Sequence, residues 1–207
     1  PFFKANAWLA NMISNVGTVA FVLSCVLMLT GSGDSKAAVA AVIDPRRDID
    51  IYLQMAKARG LRIAYAIETH IHADFVSGAQ ALAKRTGAQI IGGRADNYEF
   101  ELRQVSGGET IELGQATLQV MHTPGHTPEH ISLQLFDAQQ GDQPIALFTG
   151  DTLFNGGPGA TGRSFSDFPT IIDSIKHRLL SLPADTVVHT GHGDDTTIGA
   201  EAERLGR

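Results

Sequence analysis

Cysteine is nearly absent: Cys25 is the only one among 207 residues. One cysteine cannot close an internal disulfide or build a cysteine-rich zinc site, so any metal must be held by nitrogen and oxygen. Basic charge is also short. Lys and Arg total 16 against 22 for Asp and Glu, a formal net charge of −6, and no basic cluster offsets it. A field of that sign repels phosphate backbones and argues against a nucleic-acid partner. A membrane-length apolar run is missing too. Residues 5–33 carry no charge, yet their densest stretch, 16–30, is shorter than the ~20 residues of a spanning helix. Pro1 stands where a Met would open a chain, which fits a fragment or a processed protein.

What is present is a globular composition, 43% hydrophobic and 18% charged. The length suits one domain over residues 1–207, with 1–15 irregular or an extra N-terminal element. The 16–30 stretch reads as a buried strand, joined through the turn cluster 31–35 to a second apolar run at 37–43. A membrane anchor or export element is the alternative, with Lys4 as its only basic flank. Pro45 ends the second run. Helices are expected at 48–59, stopped by Gly60, at 75–85, closed by Gly87, and at 168–181, with Asp167 as N-cap. Residues 198–205 read as the start of a terminal helix. Strands are expected at 63–68, 89–92, 110–113, 116–120, 131–136, 145–149 and 187–189. Strands and helices interleave with hairpins, so the fold is a layered α/β arrangement whose sheets need not be parallel.

Four of these strands stop at polar residues. The first is followed by Thr69-His70-Ile71-His72-Ala73-Asp74, the second by His122-Thr123-Pro124-Gly125-His126. The third runs into Gly150-Asp151 and the last into Gly191-His192-Gly193. Strand ends on one edge of a sheet converge, and imidazole with carboxylate suits zinc, iron(II) and manganese. Any single histidine at a strand end is more often a capped surface residue, and His130 and His177 are read that way. His122 is set aside, because Pro124 prevents helical spacing to His126. The ordered set of four loops is what points to a site.

That set resembles the metallo-β-lactamase superfamily, over nearly the whole chain from about Val19. The resemblance implies a four-layer αββα sandwich with metal between the edges of two sheets. In two-metal members the first motif is His-x-His-x-Asp-His. By analogy one metal would take His70, His72 and His126. The other would take Asp74, the next histidine and His192, with Asp151 bridging. Here Phe75 stands in place of that next histidine, which favours one metal.

The stretches 68–78 and 122–130 look most like the persulfide dioxygenase branch, which includes members fused to rhodanese domains. That resemblance implies one Fe(II) per chain held by His70, His126 and Asp151, an open facial geometry. His72, Asp74 and His192 would orient ligands or bound water. Arg163 would hold the thiol carrier, and Phe75 would line the substrate pocket. The reaction implied is oxidation of a thiol persulfide, such as glutathione persulfide, to sulfite. The stretches 150–159 and 190–197 look as much like the glyoxalase II (hydroxyacylglutathione hydrolase) type. His189 also stands where the dioxygenases often carry Tyr. The alternative is therefore a thioester hydrolase with one or two Zn(II), in which Asp74 takes a proton from water. A non-catalytic or membrane-tethered module is the third class. Either enzyme would take a small-molecule substrate and be cytoplasmic. A homo-oligomer and a rhodanese domain or partner are compatible with the resemblance.

Overall fold

The computed structural model describes residues 13–16, 24–29, 39–114 and 116–206. Two six-stranded sheets face each other. The first has the order β1-β2-β3-β4-β5-β6 and the second β14-β13-β10-β9-β8-β7. In the first sheet β1 (Ile13–Val16), β2 (Ser24–Leu29) and β3 (Val39–Ile43) pair antiparallel. Beyond them β4 (Arg62–Glu68), β5 (Gln89–Gly93) and β6 (Arg103–Val105) continue in parallel with β3. The apolar stretch 16–30 thus contributes β2, paired antiparallel with β3. The expected turn at 31–35 and residues 1–12 lie outside the described residues.

In the second sheet β7 (Thr110–Leu113), β8 (Ala116–His122), β9 (Ile131–Asp137) and β10 (Ala146–Gly150) run as an antiparallel meander. β13 (Val187–Thr190) lies parallel to β10, and β14 (Thr196–Thr197) pairs back on β13. Two alternations of direction make β8 parallel to β10. The ends of β8, β10 and β13 therefore fall on one edge of the sheet, as do the ends of β3, β4 and β5 on the other.

The layering follows from period-two alternation along the strands. Ala41, Ile43, Ile67 and Ile91 face the second sheet and meet Leu118, Val120, Leu133 and Phe148. Ala40, Val42 and Ala66 point the other way, onto Tyr52 of α1 (Asp50–Ala58) and Leu82 of α2 (Ala79–Thr86). On the far face Leu147 and Val188 are covered by Ile171 of α3 (Phe168–Ser174) and Ile198 of α4 (Ile198–Arg204). This is the αββα sandwich. No helix among the described residues is long and apolar enough to cross a membrane.

The helix boundaries have local causes. Gly87 adopts a left-handed conformation, φ +73°, and ends α2 after Lys84 and Arg85. α2 starts at Ala79, four residues later than the apolar pattern suggests. Residues 75–78 are claimed by other partners: Gly78 N donates to Pro45 O at 2.7 Å, and Arg46 and Ser77 form a bridge. α3 is capped by Asp167, which accepts from Thr170 N at 3.0 Å. It does not run unbroken to Ser181 but passes into a wider π-helical stretch, Ile175–Leu179. β11 (Leu153–Phe154) and β12 (Gly157–Pro158) form a small hairpin beyond β10. These two strands, with β6 and β14, are too short to carry a periodic signal.

Leu118 is fully buried between the sheets. Its truncation to Ala removes packing from both layers at once. The expected loss is about 2–5 kcal/mol in urea unfolding, with the far-ultraviolet spectrum unchanged.

Candidate metal centre

The site begins with a carboxylate at the end of β3. Asp44 holds a positive φ of 49°, rare for a residue with a side chain. Its Oδ1 accepts from Thr69 N at 2.7 Å and its Oδ2 accepts from Thr69 Oγ1 at 2.8 Å. Having donated its proton, the Thr69 hydroxyl accepts from Nδ1–H of His70 at 2.9 Å. The Nε2 lone pair of His70 is thereby left to face the site. His126 is set the same way, its Nδ1–H donating to Ala160 O at 2.9 Å. Burial pushes the His70 imidazole well below its ordinary pKa, with further depression from His72, His126 and His192. It is neutral, the form a metal needs.

Asp151 completes the group. His130, at the start of β9, accepts the Asp151 N–H on its Nε2 at 3.1 Å. Its Nδ1–H faces the hydroxyls of Thr123 and Thr152, each at 3.0 Å. Burial, the largest influence, keeps it neutral as well. His130 therefore anchors the loop of Asp151 from the core and not from the surface, where a lone histidine at a strand end is expected, because Thr123, Thr152 and the Asp151 backbone give its ring buried partners. One donor atom each from His70, His126 and Asp151 lies within 4.8 Å of the others. Asp151 Oδ2 is 3.7 Å from His126 Nε2 and 3.4 Å from His192 Nε2. The same His192 nitrogen is 3.4 Å from Asp74 Oδ2. Its pKa is raised, chiefly by the hydrogen bond to Asp151. The structure thus brings His70, His126, Asp151, His192 and Asp74 together.

His72 is held between two carboxylates that the sequence did not single out. Its Nε2 lies 3.1 Å from Asp44 Oδ1 and 3.3 Å from Glu68 Oε2. Glu68 is in turn fixed by the Ser77 hydroxyl, which donates to its Oε1. Burial opposes a charge on His72, but the two acids outweigh it and push the imidazole up to about 10. Burial likewise raises Glu68. It also acts to raise Asp44, yet His72 and the Thr69 hydrogen bonds hold that carboxyl below its ordinary value. Nδ1 of His72 is buried with no hydrogen-bond partner. An orphaned imidazole nitrogen beside His70, whose ring is 4.0 Å away, is what a missing cation leaves behind. The donors therefore fit a divalent metal held by nitrogen and oxygen.

Phe75 packs its ring 4.2 Å from that of His72. Two cavities adjoin the motif. The larger, about 610 Å³, is lined by Ile71, Ala73, Arg94, Asp96, Thr127 and Phe165, among others. A second, about 410 Å³, is lined by Glu68, His70, His72 and Tyr98. Phe75 and Arg163 line neither. Arg163 is exposed, its backbone closing a turn with Ser166. His122 sits on the surface against Pro128 O, and His177 pairs with Asp173 at 3.8 Å. Neither approaches the centre. Asp44, Glu68 and Glu129 carried no motif of their own. The only signal for Asp44 was an Asp before Pro45 where a strand stops, and Glu129 acts through its buried Oε1, which accepts from Ile71 N at 2.8 Å.

A family model described as the Metallo-beta-lactamase superfamily matches residues 30–192. The chain is 33% identical over 183 residues to "Hydroxyacylglutathione hydrolase GloC" of Haemophilus influenzae, covering 78% of this chain and 84% of that one. It is 35% identical over 161 residues to a hydroxyacylglutathione hydrolase of Brucella anthropi, covering 77% of this chain but only 58% of the relative. The crystal structure of ETHE1 from Myxococcus xanthus superposes with a TM-score of 0.80 at 28% identity, covering 94% of this chain and 83% of that one.

Metal-free protein tests the charge on His72. An imidazole raised from 6.5 to about 10 on folding adds stability in full below pH 6.5, and that stability fades as pH climbs toward 10. Asp44→Asn removes the main partner. The stability gap between wild type and Asp44→Asn should therefore narrow between those two pH values in urea titrations. A gap independent of pH would mean that His72 carries no charge.

Proposed function

We propose that this chain, which belongs to the metallo-β-lactamase superfamily, is a metal-dependent hydrolase of thioesters of the hydroxyacylglutathione class. The observation that carries the reading is the position of Asp151 Oδ2, shared between His126 and His192, with Asp74 on the far side of His192. A carboxylate placed between two sets of donors, with a second carboxylate beside it, suits activation of water. Relatives that are 33–35% identical and carry that hydrolase name support the same reading, which the sequence motifs placed second.

His70, His126 and Asp151 would hold the metal, with Nδ1 of His72 as a further donor. When bound, a divalent ion supplies an acidified water and polarises the thioester carbonyl. The chain's own groups do the rest. Asp74, exposed at the mouth of the site, receives the proton of the attacking water at Oδ2. His192 holds that oxygen and Asp151 in fixed relation, and its own ring is backed by Phe154 at 5.9 Å. Asp44 and Glu68 keep a proton on Nε2 of His72, so that Nδ1 is the nitrogen that would exchange its proton for the metal.

Phe75 supports a second reading, a mononuclear iron persulfide dioxygenase. An aromatic ring against His72 replaces the histidine that a full second metal set would use. Three measurements separate the readings. Protein purified without oxygen is assayed for metal content, then offered S-lactoylglutathione and, in an oxygen electrode, glutathione persulfide. Thioester cleavage at ordinary enzyme rates, roughly 1–10³ s⁻¹, without oxygen uptake is expected. Oxygen consumed in step with sulfite release, and no thioester cleavage, would replace the hydrolase by the dioxygenase.

Phe75→His restores the six-residue motif. Elemental analysis should then read more metal per chain than in wild type, and hydrolase activity should rise with it. Unchanged stoichiometry would mean that Asp74, Asp151 and His192 are misplaced for a second metal or already bind it without a further histidine.

A further inference from the structure

The geometry points to Arg94 and Asp96 as the pair that holds the charged amino-acid end of the thiol carrier, in the cavity of about 610 Å³ beside the centre. The inference rests on the thioester reading for the identity of the carrier. The cavity borders the metal motif: Ile71 and Ala73 flank His72 and Thr127 follows His126, while His70 and His72 themselves line the neighbouring cavity of about 410 Å³. The lining of the larger cavity includes the turn after β5, where Arg94 and Asp96 stand two residues apart.

Arg94 is built to receive an anion. Its Nε donates to Ser106 Oγ at 3.3 Å, which aims the guanidinium. The two terminal nitrogens have no partner among the described residues. They present the paired donors that match a carboxylate in bidentate fashion. Asp96 also lacks a partner among the described residues, and it lines the same cavity. One free guanidinium and one free carboxylate match a zwitterion, the α-carboxylate and α-ammonium of an amino-acid terminus. The same lining disfavours phosphorylated carriers. It offers one arginine and no lysine, and the carboxylates of Asp96 and Glu129 would repel phosphate. Phe165 supplies an apolar wall for the intervening chain. Arg163, the arginine suggested by motif position, is not among the lining residues.

Titration calorimetry with glutathione, the thiol released by the proposed reaction, tests the pair on metal-loaded protein. Arg94→Met should weaken binding by about tenfold or more, the scale of a charge-assisted hydrogen bond, and Arg94→Lys should recover part of it. Glutathione acetylated on its amino group should bind wild type more weakly than glutathione does. Asp96→Asn should abolish that difference. With S-lactoylglutathione, Arg94→Met should act on KM rather than kcat. Binding unaffected by Arg94→Met, a loss found in Arg163→Met instead, or no binding of glutathione to wild type would each overturn the inference. The two proposals fail separately. Arg94-dependent glutathione binding without thioester cleavage removes the hydrolase, whereas thioester cleavage indifferent to Arg94 removes only this assignment. Both residues are exposed, so unchanged thermal melting of the variants is the control for folding.

Discussion

One carboxylate orients the first two histidines of the site. Asp44 spends both of its oxygens on Thr69 and still meets His72. Through the Thr69 hydroxyl it fixes the tautomer of His70; directly, it fixes the ring of His72. A buried carboxylate is costly unless its lone pairs are filled. Here backbone, hydroxyl and imidazole fill them. The strained backbone of Asp44 is maintained by this network, in which Asp44 N also donates to Ile67 O at 2.7 Å. Without that carboxylate the Thr69 hydroxyl would lose its acceptor and the ring of His72 would be left to Glu68 and Phe75.

The later loops are fixed by the other sheet. Thr69 O accepts from Ile131 N at 2.8 Å, and the Glu129 side chain takes the Ile71 N–H. These contacts join the end of β4 to the start of β9 across the gap between sheets. Gly125, at φ +133°, lets the His126 loop pass against α3, where a Cβ would collide with the backbone of Ile171. Asp167 N donates to Gly125 O at 2.8 Å, and Ser174 Oγ donates to Pro124 O at 2.8 Å. The outer helix thus holds the loop that carries a donor of the inner site.

Most of this was legible in the sequence, for physical reasons. Short apolar runs bounded by turns marked β8 and β9, and glycine stops closed α1 and α2. The four polar loops were visible because His and Asp stood directly after apolar runs. The support of the site was less visible. Glu68 reads as the last residue of a strand, and its pairing with His72 and Ser77 depends on how the chain turns after β4. Arg94 gave no signal either, since its cavity is formed by segments distant in sequence. The motifs taken alone ordered the two chemistries by Phe75 and the first half of the chain. Relatives matched over most of the chain weigh toward the hydrolase, to which the stretches 150–159 and 190–197 already pointed.

The residues proposed as donors come from both sheets: His70 and His72 follow β4, while His126 and Asp151 follow β8 and β10. No local segment owns the centre. It exists only once two separately paired sheets have docked, and such long-range pairing is the slow part of folding. Metal affinity is then a reporter of docking. A chain with intact strands but parted layers keeps its secondary structure and loses its metal. Conversely, an ion bound across the gap acts as a rivet against their separation, so chelation should ease the parting of the layers before either sheet unravels.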